Sequence, residues 1–454
     1  MIKNGETDYN KTNESLNGGE EAVITGIGIM APMADSLTQA LEIIKSGKSV
    51  LKKLEKHDYS AMPLEYGGEI SKEALAAHNL DPIKYKGFQN YIQYGVIAAG
   101  KALADAGLTD AESGRWTCGL YDETRRGAFV STGVNGNNAE ALFEAFSFSA
   151  APNGTLDLSA FASEGVGHIH PKWILTALSN NLIFFVTSQY SLKGDNNNVT
   201  FTSAGGAYML SAAINSLKEG GCDMAVVLGA DSILNWQAID ELGKLGILND
   251  RRLSGAASSM PAFSRDARGS LPSEGGAALV IELKKNAVKR GAKVYAAVKG
   301  CSQYCEASQS PAPLETGEGF AEVFTRLYRS AAIGPEDRVL VNLNASAIPQ
   351  WDAAELNGLK KSLASISPAA LNNIIPCALK PYFGHLFSAS FVFETALAAA
   401  AMKEGSPCPM PHAVSDKEPG GFFSREFPEG GCGKALIFTC CTGGSYAGVA
   451  LEKL

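Results

Sequence analysis

The chain has 454 residues, of which 45% are hydrophobic and 19% charged, and a net charge of -8 at pH 7. This composition predicts a large buried core, built as two domain-sized units or as one large duplicated fold. The acidic balance without a long basic run argues against a nucleic-acid partner. No membrane span is expected, because Asn180-Asn181 and Glu394 interrupt the longest apolar runs.

Cysteine usage and the N-terminal residues indicate the cellular compartment. Nine cysteines are present, but neither Cys301 and Cys305 nor the adjacent Cys440 and Cys441 have a histidine nearby, so no metal site is expected. Reduced thiols in a cytoplasmic protein are the simplest account. Residues 1–21 are polar and predict a mobile tail rather than a targeting segment. No metal, nucleotide or redox cofactor is implied.

The first half of the chain predicts alternating strands and helices. Ala22–Gly28 is an apolar run that ends in glycines and predicts a buried strand. The pair Gly26-x-Gly28 lacks the third glycine and the distal acid of a dinucleotide loop. Residues 137–170 are rich in Ala, Ser, Gly and Phe and predict an irregular segment that carries function or a subunit interface. The other predicted elements before it are helices over about 36–46 and 90–106 and a strand over 127–132.

The stretch 197–218 carries the strongest local signal. Asn198–Thr202 is β-branched and aromatic, which predicts a short buried strand. A small-residue turn follows, and apolar residues recur at helical spacing from Tyr208 onward. The hydroxyl of Ser203 would then lie at the positive end of a helix, where acyl-transfer enzymes hold a nucleophile and its oxyanion donors. From these residues alone, a small residue in a tight turn is the commoner alternative.

The remaining strands predict a repeated architecture. Further strands are predicted over 223–231, 277–282, 292–300, 338–344 and 434–440. The order strand, small-residue corner, helix, strand occurs around 198–230 and again around 378–443. Strongly apolar strands that alternate with helices indicate a parallel sheet covered on both faces. We therefore predict a duplicated, layered α/β architecture.

Six segments match a known family in the family's order: AVITGIGIMAPM, YSLKGDNNNVTFTSAGGAYML, PAFSRDARGSLPSEGGAALVIE, VNLNASAIPQWDAAE, KPYFGHLFSAS and FTCCTGGSYAG. From about Ala22 onward the chain resembles the β-ketoacyl-acyl-carrier-protein synthases, which are condensing enzymes. The resemblance implies the duplicated α/β thiolase fold, layered α-β-α-β-α with mixed, largely parallel sheets. It also implies an N-terminal half over 22–284 and a C-terminal half over 291–454.

The chain departs from the family at the catalytic positions. In the family, a corner cysteine takes the acyl chain, and two histidines assist decarboxylation of the malonyl unit and stabilise the enolate. Here the corner residue is Ser203, and the first-histidine position is Asn344. The second histidine is kept as His385, with Lys380 five residues before it. Thr442 replaces the phenylalanine that gates the acyl pocket.

The resemblance implies supporting roles for further residues. Glu274 lies beside glycines in the third matched segment, and Thr442, Gly443 and Gly444 form the C-terminal glycine loop. We expect Lys380 and Glu274 to form a buried ion pair that orders the glycine loops rather than to take part in chemistry.

These substitutions have a chemical consequence. A serine hydroxyl is far less acidic than a thiol, so Ser203 would need His385 as a base, and that imidazole could then no longer donate to the enolate. The amide of Asn344 can donate a hydrogen bond but cannot exchange a proton near neutral pH. Losing one positioned donor costs about 10²–10³-fold in rate. Efficient carbon–carbon bond formation is therefore not expected.

Two functions from different classes stay open. The first is a condensation-deficient, chain-length-factor-like subunit of fatty acid or polyketide (polyene) biosynthesis, paired with an active ketosynthase as a heterodimer or with itself. The second is an acyltransferase or esterase that uses Ser203 and His385, with the backbone N–H groups of Ser203 and Thr442 as the oxyanion hole. Both imply an acyl carrier protein as partner. In the family, segment 137–195 lines the acyl pocket and the dimer interface.

Overall fold

The computed structural model describes residues 20–133, 142–251, 258–366, 373–406, 408, 427 and 429–454. The predicted tail, residues 1–21, therefore lies outside the described residues except for its last two positions. The first positions of the predicted irregular segment, 137–141, lie outside them as well. No helix in these ranges is long and apolar enough to cross a membrane.

Ten strands form one mixed sheet in the described residues. They are β1 (Ala22–Met30), β2 (Arg126–Thr132), β3 (Asn196–Thr200), β4 (Met224–Asp231), β5 (Gly275–Leu283), β6 (Ala296–Cys305), β7 (Val339–Asn342), β8 (Ile374–Cys377), β9 (Lys434–Cys441) and β10 (Ser445–Glu452). Their spatial order is β8-β7-β9-β10-β6-β1-β5-β4-β2-β3. A separate two-residue ribbon pairs Lys52–Lys53 with Tyr66–Gly67.

The strand order shows an internal duplication. The first five strands run in the spatial order β1-β5-β4-β2-β3, and the last five repeat it as β6-β10-β9-β7-β8. In both halves the first two pairings are antiparallel and the last two parallel. The halves join where β1 pairs with β6 through three residues. The predicted duplicated α/β fold is confirmed.

The sheet contains fewer parallel pairs than the resemblance implies. Four of its nine pairings are parallel, two in each half, and the other five are antiparallel. One cause lies in the connections: only three residues, 442–444, join β9 to β10, and so short a loop can join only antiparallel neighbours. The sheet is thus mixed, as predicted, with its parallel pairs at the two outer ends.

Fourteen α-helices are described, and six of them mark three layers. They are α1 (Leu37–Ser46), α2 (Lys72–Ala76), α3 (Asn90–Asp105), α4 (Phe143–Phe148), α5 (Leu158–Ser163), α6 (Trp173–Thr176), α7 (Asn181–Tyr190), α8 (Gly205–Glu219), α9 (Trp236–Lys244), α10 (Lys284–Lys289), α11 (Glu318–Ser330), α12 (Pro349–Ile366), α13 (Lys380–Phe383) and α14 (Ser390–Glu404). Helices α3 and α7 cover one half of the sheet, α11 covers the other half with α12 packed against it, and α8 and α14 lie between the halves. This is the predicted α-β-α-β-α layering.

Helix α14 identifies the middle layer most clearly. Every residue from Ser390 to Met402 is buried, so the helix has no solvent-facing side. It contacts β5 and β4 of the first half and β9 of the second. A helix that is apolar all round is stable only in the interior of a large fold. The candidate site described below lies at the N-terminal ends of α8 and α14.

Strand β3 differs from its prediction. It spans Asn196–Thr200 rather than 198–202, and its side chains are exposed or half-buried. Among the described residues it pairs only with β2 and forms one edge of the sheet. The β-branched pattern indicated a strand but could not show which strand would lie at the edge.

The glycines of strand β1 serve packing rather than nucleotide binding. A Cβ atom on Gly28 would lie 2.0 Å from the Ala98 carbonyl oxygen, and one on Gly26 would lie 2.2 Å from that of Ala102. The backbone of α3 therefore rests directly on β1. This explains the Gly26-x-Gly28 pattern without a bound nucleotide.

We expect Gly28→Ala to lower the free energy of unfolding by about 1–3 kcal/mol, because the new methyl group forces α3 away from the strand. Urea denaturation measures this. Gly119→Ala is the matched control, since no atom lies within 4 Å of the added Cβ. Equal stability of the two variants would contradict the close packing of α3 on β1.

Candidate active site

Ser203 lies in the turn between the edge strand β3 and helix α8, as the sequence predicts. Helix α8 begins at Gly205, and Ser203 is buried. A Cβ atom on Gly205 would lie 2.1 Å from Ser131 Oγ, and one on Gly206 would lie 2.6 Å from a methyl carbon of Val392. The two glycines thus let β2 and α14 approach the start of the helix. The hydroxyl lies at the positive end of a 15-residue helix.

His385 faces this hydroxyl. Its Nε2 lies 3.2 Å from Ser203 Oγ, and both side chains are buried. The His385 N–H donates to the Leu271 carbonyl at 2.9 Å, and its carbonyl accepts from the Ser273 N–H at 2.9 Å. Gly384, with φ of +78°, makes the sharp turn that no other residue adopts as easily. The predicted pair is therefore brought together and held by backbone hydrogen bonds.

The other ring nitrogen fixes the tautomer of His385. The Phe387 N–H donates to Nδ1 at 3.0 Å, so Nδ1 carries a lone pair and the proton of the neutral ring sits on Nε2. Burial, and secondarily the positive charge of Lys380, lowers the pKa of His385 well below its usual value. The ring therefore stays neutral, and Nε2–H donates to Ser203 Oγ. In this state His385 is not a base for Ser203.

We expect the His385 imidazole to show no titration between pH 8 and pH 5.5, and its Nε2 to remain protonated. An ordinary histidine with a pKa of about 6.5 would become charged over this range. Long-range ¹H–¹⁵N NMR measures both properties, with the His385 signal assigned by its loss in His385→Gln. Since the unfolded chain binds this proton near pH 6.5 and the folded chain does not, the group lowers the unfolding free energy as pH falls below 6.5. A normal titration would contradict this structure of the site.

Asn344 offers an unused hydrogen-bond donor. Its Oδ1 accepts from the Cys440 N–H at 3.3 Å and from Lys380 Nζ at 3.5 Å. Its Nδ2 has no partner within the described residues, although the side chain is only 1% exposed. An unpaired buried amide N–H costs about 1–3 kcal/mol, so the group is suited to a ligand's acceptor oxygen.

Two buried carboxylates of helix α12 hold the loop that carries Asn344. Glu355 accepts from the backbone N–H groups of Asn344 at 2.6 Å and Ala345 at 2.9 Å. Asp352 accepts from the Ser346 hydroxyl at 3.2 Å. Burial raises the pKa of Glu355 to about 8 and that of Asp352 to about 6. The loop needs this support because Ala345 has φ of +45°, which is unfavourable for a residue with a Cβ.

Lys380 and Glu274 do not pair with each other, so that expectation is wrong. Lys380 Nζ lies 2.7 Å from Glu394 of α14, and both side chains are buried. Glu274 instead forms an ion pair with Lys56 and accepts from the Ile70 N–H at 2.8 Å. Lys380 is therefore paired with Glu394, and Lys56 with Glu274. Glu274 orders the loop before α2, through Ile70, rather than the glycine loop.

The glycine loop lies at the tip of the β9–β10 hairpin. Gly443 and Gly444 have φ of +83° and +67°, which is why glycine is needed there. The backbone N–H groups of Thr442 and Ser203 donate to no acceptor within the described residues. Both are therefore available to a ligand, as the resemblance implies for an oxyanion hole. The thiol of Cys441 lies within hydrogen-bonding reach of Thr202 and of the Ala204 N–H, beside Ser203.

Three residues of this region were not among the predicted site residues. Glu394 is the counter-ion of Lys380, and Cys441 packs against the corner. Ser388 connects the segments that carry Ser203 and His385, because its hydroxyl donates to the carbonyls of Phe201 and Thr202, the latter at 3.3 Å. The one usable signal was Glu394, the acidic residue within the long apolar run that precedes Lys403, since a buried charge needs a partner.

Comparison with known proteins identifies the family. The sequence profile of the Beta-ketoacyl synthase, N-terminal domain matches residues 20–287, and that of the Beta-ketoacyl synthase, C-terminal domain matches residues 295–413. The chain is 26% identical over 390 residues to 3-oxoacyl-(acyl-carrier-protein) synthase I, chloroplastic, of Arabidopsis thaliana. That alignment covers 85% of this chain and 76% of the plant protein.

Solved structures share the fold. One is the AntDE:AntF complex, a type II PKS acyl-carrier protein in complex with its ketosynthase bound to the hexaketide. The TM-score is 0.74 at 20% sequence identity, and the match covers 96% of this chain and 99% of that chain. Another is the ishigamide ketosynthase/chain length factor, with a TM-score of 0.75, 18% identity and coverage of 96% and 99%. The profiles span most of the sequence and the fold agrees with them, so this chain belongs to the β-ketoacyl synthase family.

Proposed function

We propose that this chain is a condensation-deficient, chain-length-factor-like subunit of fatty acid or polyketide (polyene) biosynthesis that works beside an active ketosynthase. The supporting observation is the hydrogen bond from the Phe387 N–H to His385 Nδ1, which directs a proton rather than a lone pair at Ser203. A serine without a base is a poor nucleophile at neutral pH. The corner therefore keeps the shape of an acyl-transfer site without its activated nucleophile.

The remaining polar groups suit binding more than bond formation. Asn344 Nδ2–H, His385 Nε2–H and the N–H groups of Ser203 and Thr442 are all donors, and none of them changes charge near neutral pH. Such a set can hold the carbonyl oxygen of an acyl or polyketide chain. It cannot accept the proton that turns the serine into a nucleophile. A subunit that shapes a growing chain needs the first property and not the second.

A partner subunit has a suitable surface. Large apolar side chains are exposed along 143–184: Phe143, Phe146, Phe148, Leu156, Leu158, Val166, Ile174, Leu175, Leu178 and Phe184. Exposed apolar residues in such number mark an interaction surface. Edge strand β3 adds unpaired backbone groups that another strand can pair with. The ishigamide structure is described as a ketosynthase/chain length factor, and we propose the same kind of pairing here.

The acyl carrier protein would approach a cavity of about 440 Å³ whose wall includes Phe263, Arg265, Asp352 and Lys360. Asp352 joins the cavity to the candidate site, because it accepts from Ser346 in the loop that carries Asn344. The wall holds the cations Arg265 and Lys360 beside the acidic Glu315 and Asp352, and we propose that the two cations contact acidic groups of the carrier. The AntDE:AntF structure contains an acyl-carrier protein bound to its ketosynthase.

Co-expression with an active ketosynthase tests this proposal. We expect a stable complex to co-purify and the chain alone to show no malonyl-dependent elongation of octanoyl-acyl carrier protein. Phe184→Asp, at a position 60% exposed in the apolar segment, is expected to weaken co-purification. Leu245→Asp, at a 51% exposed position outside the 143–184 segment, is the matched control and should not weaken it. Elongation by the purified chain, with no partner bound, would overturn the proposal.

The second candidate is an acyltransferase or esterase with a Ser203–His385 dyad. The 3.2 Å contact and the two available backbone N–H groups favour it. It requires the imidazole to move its proton to Nδ1 and so give up the hydrogen bond from Phe387. Intact-mass spectrometry after incubation with octanoyl-acyl carrier protein distinguishes the two candidates. An ester adduct that disappears in Ser203→Ala supports the dyad, and its absence supports the non-catalytic subunit.

A further inference from the structure

Three buried cysteines lie close together near strands β8 and β9. None of them belongs to the candidate site. Cys377 ends β8, Cys408 follows α14, and Cys432 precedes β9, and all three are almost fully buried. The sulfur atoms of Cys377 and Cys408 are 3.1 Å apart. A disulfide bond is about 2.05 Å long, so the two sulfur atoms need to approach by only about 1 Å to form one. We call these three residues the thiol cluster.

A continuous series of polar contacts connects the thiol cluster to the candidate site. The Cys377 thiol donates to Asn342 Oδ1 at 3.4 Å, and Asn342 Nδ2 donates to Glu394 Oε2 at 2.7 Å. Glu394 Oε1 pairs with Lys380 Nζ at 2.7 Å, and Lys380 in turn reaches Asn344 Oδ1 at 3.5 Å. Every member of the series is buried. Low polarity strengthens such contacts, so a change at one end alters the other.

We propose that Cys377 and Cys408 are a reversible oxidation site, and that their disulfide changes the electrostatics of Lys380 and His385 through Asn342 and Glu394. The oxidant class is a hydroperoxide. One thiol releases its proton, the thiolate attacks an oxygen of hydrogen peroxide, and the O–O bond breaks to give a sulfenic acid and hydroxide, which takes up the released proton to form water. The second thiol attacks the sulfenic sulfur and releases a second water. In total, two thiols and one hydrogen peroxide give one disulfide and two waters.

The disulfide removes one specific contact. Cys377 loses its S–H, so Asn342 Oδ1 loses its donor. The Asn342 amide also donates to the carboxylate that neutralises Lys380. If this amide rotates, its hydrogen bond to Glu394 is weakened, and so is the support of the Lys380–Glu394 ion pair. The charge of Lys380 contributes to the lowered pKa of His385, so the change reaches the imidazole.

Burial sets the rate of the reaction. Burial and the neighbouring Cys408, Glu394 and Cys432 raise the pKa of the Cys377 thiol, so little thiolate exists at neutral pH. Oxidation is therefore expected to be slow, because a buried thiol is reached by peroxide only through local opening of the fold. We therefore expect the Cys377–Cys408 disulfide to form during sustained exposure to peroxide and not during brief exposure to a mild oxidant.

The experiment treats the full-length, reduced protein with hydrogen peroxide, blocks free thiols with N-ethylmaleimide and maps disulfides by mass spectrometry. We expect loss of two hydrogen atoms, a Cys377–Cys408 linked peptide as the main product, and reversal by dithiothreitol. The ¹⁵N shifts of the His385 imidazole should move on oxidation. Cys408→Ser should abolish both effects, and Cys408→Ala serves if the serine variant folds poorly. Cys118→Ser, remote from the cluster, should abolish neither.

Three results would overturn the proposal: a folded protein that keeps all thiols reduced in excess peroxide, a main disulfide between Cys408 and Cys432, or a Cys377–Cys408 disulfide without any His385 shift. The first two exclude the oxidation site, and the third excludes its coupling to the candidate site. These readouts are independent of whether the chain condenses acyl groups, so failure of the proposed function would leave them unaffected.

Discussion

Ser203→Cys combined with Asn344→His is expected to elongate an acyl chain about 10²–10³-fold faster than Ser203→Cys alone, because the second substitution supplies a positioned donor that can exchange its proton. A cysteine at position 203 would lie at the positive end of α8, which favours the thiolate. The backbone of residue 344 is already held by Glu355, so the new imidazole extends from a fixed loop. Mass spectrometry of products from octanoyl- and malonyl-acyl carrier protein measures the rate.

The control is the same double variant with His385→Ala added, which should lose the gain. Ser203→Cys alone should be acylated but should elongate about 10²–10³-fold more slowly than the double variant, since the nucleophile is then present but one donor is missing. If the double variant is acylated and still does not elongate, the substitution at 344 is not what stops condensation. If the wild-type chain elongates as fast as the double variant, Ser203 is a competent acceptor and the proposed function is wrong.

Glu394→Ala is expected to lower the free energy of unfolding by about 3–5 kcal/mol, because it leaves a buried ammonium group without a counter-ion. The Lys380 side chain is 1% exposed and Glu394 is 3% exposed, so water cannot replace the lost carboxylate. The Asn342 amide loses its acceptor in the same variant. Urea denaturation at pH 7 measures the loss.

Two matched variants separate charge from packing. Lys380→Met with Glu394→Leu removes both charges and keeps similar volumes, and we expect it to be more stable than Glu394→Ala. Lys244→Met breaks the exposed pair with Asp240 and should cost less than about 1 kcal/mol. A Glu394→Ala variant as stable as Lys244→Met would mean that the buried pair does not stabilise the fold.

The fold class was predictable because its signals are local. Apolar strands such as Met224–Asp231 and the small-residue turns that follow them indicate an α/β protein, and the order of elements indicates the duplication. The sheet order was not predictable, since β1 pairs with both β5 and β6, which lie more than 240 residues further along the chain. Such pairings depend on tertiary packing rather than on any single segment.

The candidate site was predicted in part. Ser203 and His385 meet, as expected from the motifs that carry them. The partner of Lys380 was predicted wrongly, because both Glu274 and Glu394 are acidic residues with suitable surroundings and only the packing of α14 decides between them. The tautomer of His385 depends on the Phe387 backbone, whose φ of +46° is unusual for an aromatic residue and leaves no sequence signature.

The edge position of strand β3 has a consequence for communication between subunits. Thr200 ends the strand and Ser203 follows three residues later, so the two lie at most about 10 Å apart along the chain. A strand of a neighbouring subunit that pairs with β3 would form hydrogen bonds with the backbone that leads directly to Ser203. The bound subunit would then restrict the motion of the turn that carries Ser203. Separating the two chains would make this turn more mobile even if both chains remained folded.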